Sequence, residues 1–137
     1  MPRLIEEGRG HRLKEPTLAQ FRLMCETELA RIPKDLRDLL LNVTIEAKDE
    51  PGLEAEDMEE GPELLGLYVG ATREEMLGSD AHGVLPAKVY LYRYNLLDSV
   101  ESIEGLQKEV RLTLRHELAH HFGFDDEELE RVWPEGA

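Results

Sequence analysis

The chain has 137 residues, of which 41% are hydrophobic and 34% are charged, the size and balance of one globular domain and not of a disordered chain. Its formal net charge of −14 would repel phosphate backbones, so we expect peptide or small-molecule partners and no nucleic acid. The single cysteine, Cys25, excludes an intrachain disulfide and any metal site built from several cysteines.

Signals for export or membrane insertion are weak. No apolar run approaches the roughly 20 residues that span a bilayer, and the basic N-terminus is not followed by an apolar segment. We therefore expect a cytoplasmic protein without a membrane partner.

The N-terminal region divides into an arm and a helix. Residues 1–15 carry basic side chains and glycines without apolar periodicity, which predicts a flexible basic arm before a single domain at residues 16–137. A helix is predicted from Thr17, which is placed to cap its first turn. Its buried stripe consists of Leu18, Phe21, Cys25, Leu29 and Ile32. Pro33 then ends this helix or opens a second short one.

Three strands are predicted in the middle of the chain, at residues 43–47, 64–69 and 88–94. A solvated loop separates the first two, because residues 49–63 hold eight acidic side chains and no basic one. A second loop, rich in glycine and polar residues around positions 78–83, precedes the third strand.

A long helix is predicted to begin after Ser102, which can cap it, and to end near Phe122. Its core-facing side chains recur every four residues: Leu106, Val110, Leu114 and Leu118. Gly123 supplies the left-handed exit from this helix. Asp125 and Asp126 then open a last short helix.

The end of the long helix carries a metal-binding pattern. His116 and His120 are four residues apart, so their imidazoles share one helix face and can bind one ion, for which zinc is the first choice. Glu117 is rotated out of the ligand shell but lies beside it, the position of a general base. The turn at Gly123 can swing the Asp126 carboxylate back as the third ligand.

Other interpretations of these residues remain open. Asp125 and Asp126 both suit a helix N-terminus without any metal, and an acidic surface helix can carry histidines by chance. His82, in the second loop, is the reserve candidate for third ligand. His121 points towards the apolar side of the helix, which favours packing or a supporting role over direct ligation.

The stretch RHELAHHFGFDDEEL resembles the signature of the minimal zincins, small bacterial proteins regarded as predicted zinc-dependent proteases. The similarity runs from residue 17 to residue 133 and includes the segments LLGLYVG and VYLYR. It implies a compact α+β fold in which a small mixed sheet packs against an N-terminal helix and a C-terminal metal-binding helix.

The resemblance also implies His116 and His120 as zinc ligands, Glu117 as the base and Asp126 as the third ligand. The longer metzincin peptidases share the spacing but have a methionine turn below the metal. Here the last methionine is Met76, so no such turn follows the motif and we expect a shallow cleft.

Three functions are consistent with this pattern. The first is a metal-dependent peptidase whose substrate pairs with an exposed strand edge, for which residues 88–94 are the candidate. A tyrosine could stabilise the oxyanion, although sheet packing is the simpler role for each candidate: Tyr68, Tyr90, Tyr92 and Tyr94. The second is a metal-dependent endoribonuclease, disfavoured by Glu117, Asp126 and the acidic charge. The third is a non-catalytic module in which zinc, or another divalent metal such as iron, holds the C-terminal elements together.

Overall fold

The structure is a computed structural model that describes residues 15–78 and 85–136. The predicted N-terminal arm lies outside the described residues except for Glu15. The reserve ligand His82 lies outside as well.

The N-terminal helix α1, Leu18–Ala30, forms as predicted. The Thr17 hydroxyl accepts the Gln20 amide while the Gln20 side chain accepts the Thr17 amide, so two otherwise unpaired donors are satisfied at its start. Phe21 and Cys25 are fully buried. A short helix α2, Lys34–Arg37, follows with Pro33 at its N-cap.

A three-stranded sheet forms the middle of the protein, with β1 at Val43–Lys48, β2 at Gly66–Val69 and β3 at Ala87–Tyr92. The strand order is β1-β3-β2, with β1 parallel and β2 antiparallel to β3. The predicted strand at residues 88–94 is thus the central strand, and its last two residues begin a helix instead.

This order corrects the expectation that residues 88–94 offer an open edge to a substrate. Both edges of β3 are occupied by neighbouring strands, whereas β2 pairs only with β3 within the described residues. The strand β1 likewise pairs only with β3 within the described residues, so β1 and β2 each have an outer edge without a described partner. Of the two strands, β2 is the one beside the C-terminal part of the long helix.

The acidic segment between β1 and β2 is more ordered than a solvated loop. It contains two 3₁₀ turns, Leu53–Ala55 and Gly61–Glu63, and most of its acidic side chains are exposed as expected. The Glu54 carboxylate, however, accepts hydrogen bonds from Lys48 Nζ at 2.8 Å and from the Tyr92 hydroxyl at 2.8 Å. These contacts anchor the segment to the sheet.

Two further short helices flank the sheet. The helix α3, Arg73–Leu77, was not predicted, although Thr72 and Glu75 form a reciprocal cap at its start. The helix α4, Arg93–Asp98, follows β3 directly. Arg93 is buried and donates to Asp49 at 2.7 Å and to the Pro16 carbonyl at 2.6 Å, which ties the start of the described chain to the sheet.

The long helix α5, Ile103–Phe122, begins at the Ser102 cap and ends at Gly123, whose φ of 74° is left-handed, as predicted. The last helix α6, Asp126–Val132, has Asp125 as its N-cap. The four predicted core positions of α5 are fully buried: Leu106, Val110, Leu114 and Leu118. They pack with α1, the sheet and Trp133 in one hydrophobic core.

The described part of the chain is therefore a mixed α+β structure, as the sequence indicated. Among residues 15–78 and 85–136, no helix has both the length and the apolar character needed to cross a membrane.

Candidate metal centre and active site

His116 and His120 lie one turn apart near the end of α5, on the face that looks towards β2. Their ring centroids are 5.6 Å apart and the rings are nearly perpendicular, at 84°. Both residues are exposed, so their nitrogens are accessible to an ion from solvent. Two adjacent imidazoles on one helix face are the start of a zinc site.

Glu117 lies between this face and the sheet and is only 8% exposed. Its Oε2 is 3.9 Å from His116 Nε2. Burial raises the pKa of Glu117, and the positive charge that His116 and His120 can carry, together with the Tyr68 backbone, offsets part of this rise. A carboxylate whose pKa is raised from its ordinary value is a better proton acceptor near neutral pH.

His121 is fully buried and both of its ring nitrogens are hydrogen-bonded. The Leu41 amide donates to Nε2 at 3.2 Å, so in the neutral ring the proton is on Nδ1 and is donated to the Tyr68 hydroxyl at 2.9 Å. Burial, helped by the charge of Arg73, lowers the pKa of His121 to about 4, which keeps the ring neutral at pH 7. His121 is thus a supporting residue, as its position on the helix predicted.

Tyr68 connects this buried histidine to the exposed ones. Its hydroxyl donates to the Ala71 carbonyl, and its ring lies 6.4 Å from that of His120 at an interplanar angle of 23°. Because the hydroxyl already has a donor and an acceptor partner, the oxyanion role considered for Tyr68 would require these bonds to break.

A cleft of about 420 Å³ runs between β2 and α5. Its lining combines the acidic segment, β2 and the histidine face: Met58, Leu64, Gly66, Leu67, Tyr68, Gly70, Thr72, His116, Glu117 and His120. The candidate base therefore lies at an accessible surface depression that also exposes both imidazoles, which is the arrangement that a peptide substrate and a metal would need.

Asp125 and Asp126 have different roles at the start of α6. The Asp125 carboxylate accepts the Glu128 amide at 2.8 Å, and the Glu128 side chain accepts the Asp125 amide, which completes a capping box. Asp126 is exposed in the first turn. In the described part of the chain, no three side chains of His, Cys, Asp or Glu are grouped to hold a metal ion, so Asp126 as third ligand stays a prediction.

One known protein family matches most of the chain. The sequence profile of the zincin-like metallopeptidases matches residues 40–134, which is more than half of the chain and includes β1 to α6. The chain belongs to the zincin-like metallopeptidase family.

Two further comparisons assign no function. A conserved hypothetical protein from Thermus thermophilus has a structure that matches with a TM-score of 0.47 and 24% identity, covering 77% of this chain and 92% of that one. No functionally curated protein matches the chain.

Membership in the zincin-like family implies a divalent metal, typically zinc. The two imidazoles of α5 fit such an ion, because they are adjacent, exposed and of the ligand type that zinc prefers. Glu117 fits the accompanying base, because it is next to His116 but pressed against the sheet.

Sequence reasoning missed the contribution of β2 to this zincin-like site. A Cβ on Gly66 would lie 2.7 Å from Thr113 Cγ2 and 2.8 Å from the Tyr90 carbonyl oxygen, so only glycine lets β2 approach α5 this closely. A glycine inside a predicted strand was the available signal for close approach. The sequence did not reveal which element approaches it.

Proposed function

We propose that this protein is a metal-dependent peptidase in which His116, His120 and Asp126 hold a divalent metal, zinc in the first instance. Glu117 is its general base. The family supports a metallopeptidase type of function, and the assignment of residues is ours.

The observation that carries this proposal is the setting of Glu117. Its carboxylate is 8% exposed, 3.9 Å from an imidazole nitrogen of His116, and lines the cleft between β2 and α5. A carboxylate that only solubilised the helix would be exposed to solvent, as Glu104 is at the start of α5. Burial beside two imidazoles is typical of a carboxylate that exchanges protons.

The roles of the residues follow from their chemistry. The metal, when bound, supplies a Lewis acid that polarises the scissile carbonyl and acidifies a water molecule. Glu117 accepts the proton of the attacking water and delivers it to the leaving amine, for which its raised pKa is suited. His121 keeps Tyr68 in place against His120 through their hydrogen bond.

The open edge of β2 supports an extended peptide as substrate. The Leu65 carbonyl accepts the Tyr92 amide, so in the antiparallel alternation the amide groups of Gly66 and Tyr68 point away from β3 towards the cleft. The Tyr68 amide already donates to the Glu117 carboxylate, so a peptide strand could pair with the Gly66 backbone while its scissile bond lies over Glu117. The sequence predicted the wrong strand, residues 88–94, for this pairing, but the addition of a substrate strand to the sheet stays part of the proposal.

The test is hydrolysis of a mixed peptide library by the purified protein, stripped of metal and reloaded with zinc, with products identified by mass spectrometry. The key variant is Glu117→Gln, which keeps shape and removes the base. The matched control is Glu104→Gln, an exposed change in the first turn of the same helix. We expect Glu117→Gln to lower kcat/KM by about 10²–10⁴-fold and the control to leave it unchanged.

Two outcomes would contradict the proposal. Zinc that raises thermal stability without any peptide turnover would favour the non-catalytic module. Cleavage of RNA that survives Glu117→Gln, with no peptide cleavage, would favour the nuclease.

A further inference from the structure

A second cavity lies on the side of α5 that faces away from the metal-binding histidines. It has a volume of about 150 Å³, and six residues from α1, the turn after it, α5 and the end of α6 line it: Glu28, Arg31, Ile32, Pro33, Arg111 and Trp133. Arg111 and His120 are nine residues apart on α5, which places them on opposite sides of the helix. None of the six residues lines the cleft between β2 and α5, so this cavity is a separate site.

The side chain of Arg111 lines this cavity without a partner. Its Nε is buried and has no hydrogen-bond acceptor, and within residues 15–78 and 85–136 its guanidinium forms no ion pair. A buried donor in this state costs free energy that an added acceptor would recover. Arg111 therefore has an unused capacity to bind an acceptor.

Arg115, on the same face of α5, has the partners that Arg111 lacks. It lies one turn after Arg111, and its guanidinium donates to the Trp133 carbonyl at 2.8 Å and to the Glu130 carboxylate at 2.8 Å. Trp133 lies beside both arginines, but only Arg115 finds acceptors there among the described residues. The missing acceptor is thus specific to Arg111 and not a property of this helix face.

The other two charges around the cavity offset each other. The Glu28 carboxylate is 5% exposed and pairs with Arg31 Nη1 at 3.3 Å. In the part of the chain that the structure describes, the positive charge of Arg111 is left uncompensated at this cavity, although the formal net charge of the protein is −14. A carboxylate matches a guanidinium especially well, because its two oxygens can accept two parallel N–H bonds.

The remaining wall of the cavity is apolar and favours an apolar ligand body. Ile32 and Trp133 are 4% and 2% exposed, and Pro33 follows Ile32 directly. An aliphatic group placed against this wall would be removed from water, whereas a phosphate would lose its hydration without gaining enough donors. The small volume limits the ligand to a carboxylate with a short chain.

We propose that this cavity binds small organic monocarboxylates with an aliphatic chain. Arg111 binds the carboxylate, and Ile32, Pro33 and Trp133 form the wall for the chain. Such a group occurs in free short-chain acids and at the C-terminus of a peptide that ends in an aliphatic residue. The proposal does not depend on the peptidase function, because it involves no residue of the metal site.

The indole N–H signal of Trp133 in NMR is the readout, because Trp133 lines the cavity and is the single tryptophan of the chain. Two acids are titrated into the zinc-loaded full chain: 4-methylpentanoate represents a free acid and N-acetyl-leucine a peptide C-terminus. N-acetyl-leucine amide, which lacks the carboxylate, and inorganic phosphate are the comparison probes. An acid that binds only to the zinc would give a signal that does not depend on Arg111.

The variant Arg111→Gln removes the charge while keeping a side chain of similar shape. Lys108→Gln is the matched control, since it removes one positive charge from an exposed residue one turn earlier on the same helix, outside the cavity. We expect the acids to shift the Trp133 signal in wild type and in Lys108→Gln. Arg111→Gln should weaken their binding by at least about tenfold, as expected for the loss of a charge-assisted pair.

In wild type, the amide and phosphate should bind at least about tenfold more weakly than the acids. Binding of 4-methylpentanoate alone would identify free acids as the ligands, and binding of N-acetyl-leucine alone would identify peptide C-termini. Four results would overturn the proposal: no shift with either acid, equal binding of N-acetyl-leucine and its amide, tighter binding of phosphate than of the acids, or binding that survives Arg111→Gln. The comparison of acid and amide needs no variant, so it decides even if Arg111→Gln does not fold.

Discussion

The Tyr68 hydroxyl and the imidazole Nδ1 of His121 are 2.9 Å apart, and each group has one further partner. The hydroxyl donates to the Ala71 carbonyl, while Nε2 of His121 accepts the Leu41 amide. These hydrogen bonds join the edge strand β2, the end of α5 and the two loops that contain Leu41 and Ala71. They do so directly behind His120, whose ring lies against that of Tyr68.

Tyr68→Phe should destabilise the protein, because it keeps the ring but leaves the buried Nδ1–H of His121 without its acceptor. An unsatisfied buried donor costs about 1–3 kcal/mol in the free energy of unfolding, which urea denaturation at pH 7 would measure. Tyr90→Phe is the control, since within residues 15–78 and 85–136 the Tyr90 hydroxyl makes no hydrogen bond. Equal losses in the two variants would argue against the network.

Asp126→Ala should weaken zinc binding while Asp125→Ala should weaken the fold. Asp126 is the proposed third ligand, so its loss should lower zinc affinity by more than the roughly 10–100-fold typical of an outer hydrogen-bond partner. Asp125 caps α6 through the Glu128 amide, so its loss should cost about 1 kcal/mol of stability in the metal-free protein. Competition with a chromogenic chelator gives the affinities.

The opposite pattern, with zinc affinity controlled by Asp125 or unaffected by either change, would remove Asp126 from the site. His82→Ala, measured in the same way, would then test the reserve ligand.

The two long helices, α1 and α5, and the common face of His116 and His120 were predictable because they depend on local spacing. Thr17, Ser102 and Gly123 act through neighbours within a few residues along the chain, and each has the role that its position indicated. His116 and His120 share a face for the same reason, since helical periodicity alone decides it.

The strand order and the cleft between β2 and α5 were not predictable, because they depend on contacts between distant segments. A run rich in β-branched and aromatic residues, such as residues 88–94, can form a central strand or an edge strand. In this protein it forms the central strand. The fit of Gly66 against Thr113, and the bond between Tyr68 and His121 across 53 positions, have no local signature.

Glu54→Gln should remove an acid-sensitive part of the stability. Burial alone would raise the pKa of Glu54, but hydrogen bonds from Lys48, the Gly52 amide and Tyr92 outweigh it and lower the pKa from 4.5 to about 2. A lowered folded-state pKa gives stabilisation that is complete above pH 4.5 and is lost as the pH falls towards 2. Its size at pH 7 is about 3 kcal/mol.

Urea denaturation between pH 7 and about pH 2.5 would measure this contribution. The difference in unfolding free energy between wild type and Glu54→Gln should be largest near neutral pH and shrink as the acid is titrated. Glu59→Gln, an exposed change in the same acidic segment, is the control. A difference that stays constant with pH would show that Glu54 acts through shape and not through its charge.

Gly123→Ala should destabilise the turn between α5 and α6 through the backbone alone. The φ of Gly123 is 74°, a left-handed conformation that costs a residue with a Cβ about 1 kcal/mol, yet an added Cβ would meet no atom within 4 Å. Gly78→Ala is the matched control, because Gly78 also ends a helix but has a right-handed φ of −86° and room for a Cβ. We expect Gly78→Ala to be neutral or slightly stabilising in urea denaturation, since alanine restricts the unfolded chain. If Gly123→Ala were equally harmless, the turn between α5 and α6 would not depend on a left-handed residue at this position.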